Sequence, residues 1–332
     1  MQLDFTPDQE ELRSSVRGVL EKECSRAFVR EHVDHVVMGE PSDASGRLWK
    51  TFVSLDWPSL TIAEEHGGIG LGYPELAIVA EELGRVLAPG PLLTTIAGFA
   101  PLLREAEGGG EWLVKVAAGE ISGTAAFDAT HVLCGGEVDA VAVVLDGEIA
   151  IVPPTVTRAI ESLDPTRTLV DVEVGDGPRL SISPDGVRRA REEMTTALAF
   201  ELVGTCQTIF DTTLQYAKER QQFGVPIGSF QAVKHKLANM FVAIERARAL
   251  CVFAAATINE DDERRSIATS AAKAAAGDCQ KLVTQDGIQL LGGIGYTWEH
   301  DQHFYVKRAK VSDALFGNAA YHRQQIADAL GL

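Results

Sequence analysis

The chain has 332 residues, of which 45% are hydrophobic and 23% charged, an ordinary globular composition that excludes a disordered or low-complexity polymer. Its 47 acidic side chains against 30 basic ones leave a net charge of -17, which repels phosphate backbones and anionic lipid surfaces and argues against nucleic-acid or membrane-surface binding. Five cysteines, Cys24, Cys134, Cys206, Cys251 and Cys279, are widely spaced with no CxxC pair, which fits reduced, buried thiols better than a disulfide framework or a metal site.

The opening MQLDFTPDQEELRSSV is acidic and helical rather than a charged-then-apolar leader. No run approaches the ~20 apolar residues of a membrane span, so a cytoplasmic protein is expected. Thr6-Pro7-Asp8 reads as a helix start, threonine at the N-cap and proline at the first helical position, with Leu12, Val16, Val19 and Leu20 following at helical spacing. Further helical runs are predicted around Leu48 to Leu55, Pro74 to Leu87 and Pro91 to Glu107. The glycines Gly67, Gly68, Gly70 and Gly72 between them lack the preceding strand and the spacing of a phosphate cradle, and mark a loop. These elements define an N-terminal helical domain over residues 1–120.

From 121 to 183 the texture changes to short β-rich runs, Ala140 to Leu145, Glu148 to Val152 and Leu169 to Val174, broken by Gly, Asp and Pro, which predict a small antiparallel sheet domain. Residues 184–332 are helical to the end. One helix is predicted from about Gly186 to Arg220. A second carries Val233, Leu237, Met240, Ile244, Ala247 and Cys251 on one face. A third, alanine-rich, carries Ala268, Ala272, Ala275, Cys279, Leu282 and Ile288 before Gly292-Gly293 stops it, and two shorter helices, Tyr305 to Leu315 and Ala319 to Leu330, complete a bundle.

Two stretches carry chemistry. In ERQQFGVPIGSFQAVK, Glu219 to Lys234, an arginine ends a long helix where Arg220 can pair with a phosphate, and Gln222 and Phe223 leave the helix so that the ring can pack on a base. In QLLGGIGYTWE, Gln289 to Glu299, the glycines allow a ligand to approach the backbone. Each alone has a plain reading, a helix-terminal arginine and a glycine C-cap. Together, in this order and with the segment Pro58 to Leu92, PSLTIAEEHGGIGLGYPELAIVAEELGRVLAPGPL, they resemble the acyl-CoA dehydrogenase family of flavoenzymes, which desaturate acyl-CoA thioesters between the α and β carbons.

The resemblance implies a mainly α fold with a small β domain: N-terminal helices, a reduced middle β domain and a C-terminal helical bundle that mediates assembly. It implies FAD as cofactor, with Arg220, Gln222, Phe223, Gln231, Gln289, Leu290, Leu291, Gly292 and Gly293 contacting the ADP moiety of a flavin lodged mainly in a neighbouring subunit.

The departures are as telling. The family's flavin-ring segments survive here only as Thr124, Ala125, Ala126, Phe127 and Asp128, and a second such segment has no counterpart. The usual Tyr-Glu-Gly of the catalytic base stands as Leu315, Phe316, Gly317, and phenylalanine accepts no proton. The alternative base position falls on Met194, followed by Thr195, while Glu192 and Glu193 lie one or two positions off, about 100° or 200° around the helix.

No catalytic residue is therefore expected on this chain. It resembles the short, base-less subunit of heteromeric bacterial acyl-CoA dehydrogenases acting on steroid side-chain CoA thioesters. The partner implied is a homologous catalytic subunit, in a heterotetramer or heterodimer, that binds most of the acyl-CoA and supplies the base. An electron-transfer flavoprotein or similar acceptor takes the electrons. The rivals are a self-sufficient dehydrogenase with a relocated base and a flavin-free scaffold of the same fold. The histidine pairs His300 and His303, and His32 and His35, lack a third metal ligand at defined spacing. Lys307, Arg308 and Lys310 read as a solvated helix face.

Overall fold

The computed structural model describes residues 3–332. Thr6 and Gln9 form a reciprocal capping box, Gln9 N donating to Thr6 Oγ1 at 3.2 Å and Thr6 N to Gln9 Oε1 at 2.9 Å. Helix α1 (Pro7–Glu23) starts there, and α2 (Arg26–Met38), α3 (Ala44–Ser54) and α4 (Tyr73–Val86) follow. The run predicted from Pro91 is interrupted, α5 (Leu92–Thr94) passing through a π turn, Thr95–Phe99, into α6 (Ala100–Glu105), before α7 (Gly110–Ala117).

The middle segment holds seven strands: β1 (Gly123–Ala126), β2 (Val132–Leu133), β3 (Ala140–Val144), β4 (Glu148–Val152), β5 (Val156–Ile160), β6 (Leu169–Val172) and β7 (Arg179–Ser181). They form two sheets, β1-β3-β4-β7 and β2-β6-β5. The expectation of an antiparallel domain is corrected at one place: β1 pairs with β3 in parallel, Gly123 opposite Ala140 through Ala126 opposite Val143. A parallel pair needs a crossover rather than a hairpin, and residues 127–139, which contain β2, supply it.

The remainder is helical: α8 (Pro184–Glu219), α9 (Gln231–Asn259), α10 (Arg265–Leu291), α11 (Gln302–Ala314) and α12 (Ala319–Ala329), with a two-stranded hairpin, β8 (Gln221–Gln222) and β9 (Val225–Pro226), between α8 and α9. The chain thus has the expected mainly α order, helices then small sheets then a helical bundle. Its residues gather into two compact units, one of Lys22–Leu76 with Ala88–Ala197, the other of the described residues up to Glu21 with Ala77–Leu87 and Leu198–Leu332.

The first unit is built on an apolar cluster that joins Phe99, Leu102 and Leu103 to Ala142, Ile149 and Ile151 of the strands, with Phe52 stacked on Trp57 at 4.8 Å between ring centroids. In the second unit α4 and α8 approach through glycines. A Cβ on Gly84 would collide with the Glu201 carbonyl, and one on Gly204 with that of Glu81, so only glycine permits this backbone contact. The faces predicted for α9 and α10 are the buried ones at Leu237, Met240, Ile244, Ala247 and Cys251, and at Ala268, Ala272, Ala275 and Cys279, while Val233, Leu282 and Ile288 are half-buried.

The basic cluster of α11 requires a correction. Arg308 is only 1% exposed and its guanidinium donates to Glu201 Oε1 at 2.7 Å, with Ser312 Oγ on the other carboxylate oxygen at 3.2 Å and the Leu87 carbonyl at 3.4 Å. The run of like charges hides a buried ion pair, because α11 turns Arg308 inward while Lys310 stays exposed. All five cysteines are free and buried, and burial pushes the Cys206 and Cys251 thiols well up, which leaves them unreactive.

Candidate functional site

At the end of α8 the helix gives way to a two-residue hairpin loop whose central residues are both left-handed, Phe223 at φ 52 and Gly224 at φ 78. That is the backbone of a primed turn, normally built with Asn-Gly, so phenylalanine here stands against its backbone preference. Its ring is 93% exposed and meets Phe230 edge-on at 6.2 Å. Arg220 is tied by its backbone, its N–H donating to the Tyr216 carbonyl and its own carbonyl accepting from Ile227, both at 2.8 Å. Among the described residues its guanidinium makes no ion pair and no side-chain hydrogen bond.

Gln222, Gln231 and Gln289 are likewise exposed, with side-chain amides uncommitted among the described residues. Helices α9 and α10 are joined by a five-residue connection and run antiparallel, and Lys236 reaches Asp286 across them. This places Gln231, at the start of α9, at the same end of the hairpin as Gln289 and the α10 terminus. There Leu290 is half-buried and Leu291 is buried at 3% exposure, so Leu291 offers a ligand its backbone rather than its side chain. Gly292, at φ 65, and Gly293 are exposed and have nothing within 4 Å of a Cβ position.

Charge concentrates at the same place. Residues 218–236 carry four cationic side chains, Lys218, Arg220, Lys234 and Lys236, and one carboxylate, Glu219, with Asp286 of α10 paired to Lys236, within a chain of net charge -17. An uncommitted guanidinium, three free amides, an exposed ring and open glycines on a locally positive surface fit a ligand with a pyrophosphate and an aromatic base.

The positions that would hold a base are not equipped for one. Phe316, half-buried, sits at φ 59. In the other unit Met194 is buried at 2% exposure, and Thr195 Oγ1 donates to the Arg191 carbonyl at 2.7 Å. Glu193 accepts from Arg104 Nη2 at 2.5 Å, and Glu192 from Arg188 Nη1 at 2.7 Å. Both carboxylates are thus committed to arginines. Thr124, the first residue of the vestigial flavin-ring segment, is 1% exposed and donates inward to the Leu133 carbonyl at 2.8 Å.

Of the histidines, His32 faces Ser42 at 2.8 Å, His35 the Pro41 carbonyl at 3.1 Å, and His300 accepts from the Gln302 N–H at 3.1 Å. His303 packs against Trp298 at a tilt, with ring centroids 4.9 Å apart. Each is engaged locally, which suits a structural side chain. A cavity of about 420 Å³ opens in the first unit beside His66, Arg104 and Leu113 and includes none of the predicted site residues.

One side chain that carries no sequence signal stands out. Lys273, in the alanine-rich α10, is fully buried and donates to the carbonyls of Asp313 and Gly317, each at 2.8 Å. Burial lowers its ammonium from the ordinary 10.5 to about 8, against the opposing attraction of Asp313. The unfolded chain therefore binds a proton there that the folded chain has released between pH about 8 and 10.5, so stability rises with pH across that window and the full penalty applies below it. The urea midpoint of the wild type, measured against Lys273→Met, should climb from pH 8 to 10.5; parallel midpoints at all pH values would contradict the assignment.

Comparison with known proteins places these features in context. The N-terminal domain of acyl-CoA dehydrogenases matches residues 6–120 and their C-terminal domain residues 186–331. The acyl-CoA dehydrogenase IpdE2 of Mycobacterium tuberculosis is 33% identical over 314 residues, covering 94% of either chain. Among solved structures, the ChsE4-ChsE5 complex of M. tuberculosis superposes with a TM-score of 0.89 at 22% identity, covering 100% of this chain and 99% of the other. A variant of the Tcur3481-Tcur3483 steroid ACAD gives 0.85 at 23% identity over 98% of both chains. At these identities the structures speak to the fold.

Proposed function

The chain belongs to the acyl-CoA dehydrogenase family, and we propose that within it this chain is the non-catalytic subunit of a heteromeric, FAD-dependent enzyme, completing the cofactor site of a homologous partner that supplies the base. The observation that carries the reading is a pairing. The cofactor-contact set around Arg220 and the α9–α10 end is present and uncommitted, while both base positions are apolar and the nearest carboxylates, Glu192 and Glu193, are ion-paired.

When bound, FAD supplies the acceptor for the hydride that leaves the β carbon of the thioester. Toward that cofactor, Arg220 neutralises pyrophosphate charge, Phe223 packs on the adenine, and Gln222, Gln231 and Gln289 hydrogen-bond the ADP moiety. Leu290, Leu291, Gly292 and Gly293 offer backbone at the end of α10. A left-handed phenylalanine exposed at a hairpin tip is a strained arrangement of the kind found at binding sites. A scaffold with no cofactor contact has no physical use for it.

No proton is moved by Phe316 or Met194, so α-proton abstraction falls to the partner. Exposed apolar side chains on α9, Phe241 at 49% and Val242 at 64%, support burial of this helix in an assembly. The heteromeric reading gives a heterotetramer or heterodimer whose domain boundaries in this chain we place at 120/121 and 183/184. The steroid designation of one structural neighbour supports steroid side-chain CoA thioesters as the substrate class. In this reading an electron-transfer flavoprotein or similar carrier takes the electrons. The protein acts in the cytoplasm in this reading.

The test is purification of the chain alone and co-expressed with dehydrogenase-like chains encoded beside it, reading flavin absorbance, native mass and acyl-CoA oxidation in each case. Flavin and activity only in the mixed complex support the reading.

A further inference from the structure

We propose that the cavity of the first unit is a binding site for a small neutral molecule with a hydrocarbon body and a carbonyl-type acceptor at one end. The cavity, of about 420 Å³, is lined wholly by residues of that unit and shares none with the cofactor-contact set. A hollow of this size with an apolar wall and a few converging polar groups is where proteins take up small molecules.

The apolar wall is Ile62, Ala100, Leu103, Ala106 and Leu113, each at most 8% exposed and each a member of the cluster on which the unit is built. A hydrocarbon body laid against them leaves water, the main favourable term in such binding. The opposite character belongs to the residues that line the rest. The Thr61 hydroxyl, the N–H groups of Gly108 and Gly110 and the ring nitrogens of His66 make no hydrogen bond among the described residues, the Glu65 carboxylate standing 3.7 Å from His66 Nε2.

Glycine brings these donors together. Gly108 is left-handed at φ 82, a Cβ on Gly109 would collide with the Leu103 carbonyl, and one on Gly110 would lie 2.8 Å from His66 Cε1. Three consecutive glycines thus each meet a separate steric demand, at a cost in unfolded-state entropy. The result is an imidazole laid against the backbone that opens α7.

Charge narrows the class of ligand. Arg104 also lines the cavity, but its guanidinium is committed to Glu193, with Glu105 at 3.5 Å, and Glu65 stands beside His66. Three carboxylates against one guanidinium leave no surplus positive charge to hold an anion. A cation would meet uncommitted donors. A neutral acceptor satisfies those donors without repulsion, and the apolar wall takes the remainder of the molecule.

The test titrates the full chain, carrying ¹³C-labelled Ile, Leu and Ala methyl groups, with cyclohexyl methyl ketone and separately with cyclohexanecarboxylate, a probe of similar size. The ketone should shift the Ile62, Leu103 and Leu113 methyl signals saturably, and the carboxylate should bind about tenfold more weakly or not at all. Thr61→Val combined with His66→Phe, which removes two donors at nearly constant volume, should weaken ketone binding by roughly tenfold. Ala100→Leu, which fills the cavity from its wall, should abolish it.

No saturable shift of these methyl signals below about 10 mM ketone would overturn the site. Carboxylate binding as tight as the ketone, or an unchanged ketone affinity in the double variant, would overturn the neutral-acceptor assignment. Retained affinity in a folded Ala100→Leu would place the ketone elsewhere and overturn the site as well. If Ala100→Leu does not fold, the two-probe comparison and the double variant decide the matter without it.

Discussion

Arg220→Ala should lower flavin retention of the assembled complex by roughly 30-fold or more, the loss of a charge-assisted contact of about 2 to 4 kcal/mol to a pyrophosphate that becomes partly buried in the assembly. The isolated chain should unfold at the same urea concentration as wild type, because the Arg220 guanidinium has no ion pair among the described residues to lose. Equilibrium dialysis of FAD against the complex measures the first and urea titration the second. The combination is diagnostic: a helix-terminal arginine that only satisfies the dipole of α8 would shift stability by a few tenths of a kcal/mol and leave flavin untouched. Arg220→Lys should recover part of the loss, since the charge remains while the bidentate fork does not.

The second large effect is structural. Glu201→Ala should cost about 3 to 5 kcal/mol of stability, because it strands the Arg308 guanidinium, 1% exposed, without the carboxylate 2.7 Å away that balances it. The double variant Glu201→Leu with Arg308→Met should be considerably more stable than Glu201→Ala, since an apolar pair of similar volume leaves no buried charge to strand. Urea unfolding of the single and double variants reads both values. Should Glu201→Ala unfold within about 0.5 kcal/mol of wild type, the pair would have to be solvated in solution.

Much of the architecture was legible because it is local. The Thr6-Pro7 start of α1, the apolar faces of α9 and α10 and the glycine stop at Gly292 follow from capping chemistry and a 3.6-residue period. Elements with weak local signals were not. Helix α2 has an apolar stripe thinned by His32, α7 is only eight residues long and begins on glycine, and β1 reads Gly-Thr-Ala-Ala, without the β-branched runs that announce a strand. Strand β5 is exposed along nearly its whole length, so it shows no buried alternation.

The candidate site divides the same way. The absence of a base at Phe316 and Met194 is a statement about residue types and needs no coordinates. Where charges find their partners does need them: Arg308 with Glu201 is separated by 107 residues and Arg104 with Glu193 by 89. Reading Arg308 with Lys307 and Lys310 as one solvated face failed for that reason. Lys273 left no trace in the sequence at all, since its partners are backbone carbonyls, which every residue carries.

On the proposed reading this chain completes a flavin site in another subunit and has no working site of its own. Measuring flavin content and acyl-CoA oxidation of the chain alone, of the partner alone and of the two together tests it most directly. The expected result is a colourless, inactive chain that joins its partner in a hetero-oligomer holding tightly bound FAD. A yellow homomer that oxidises acyl-CoA without any other chain would contradict it.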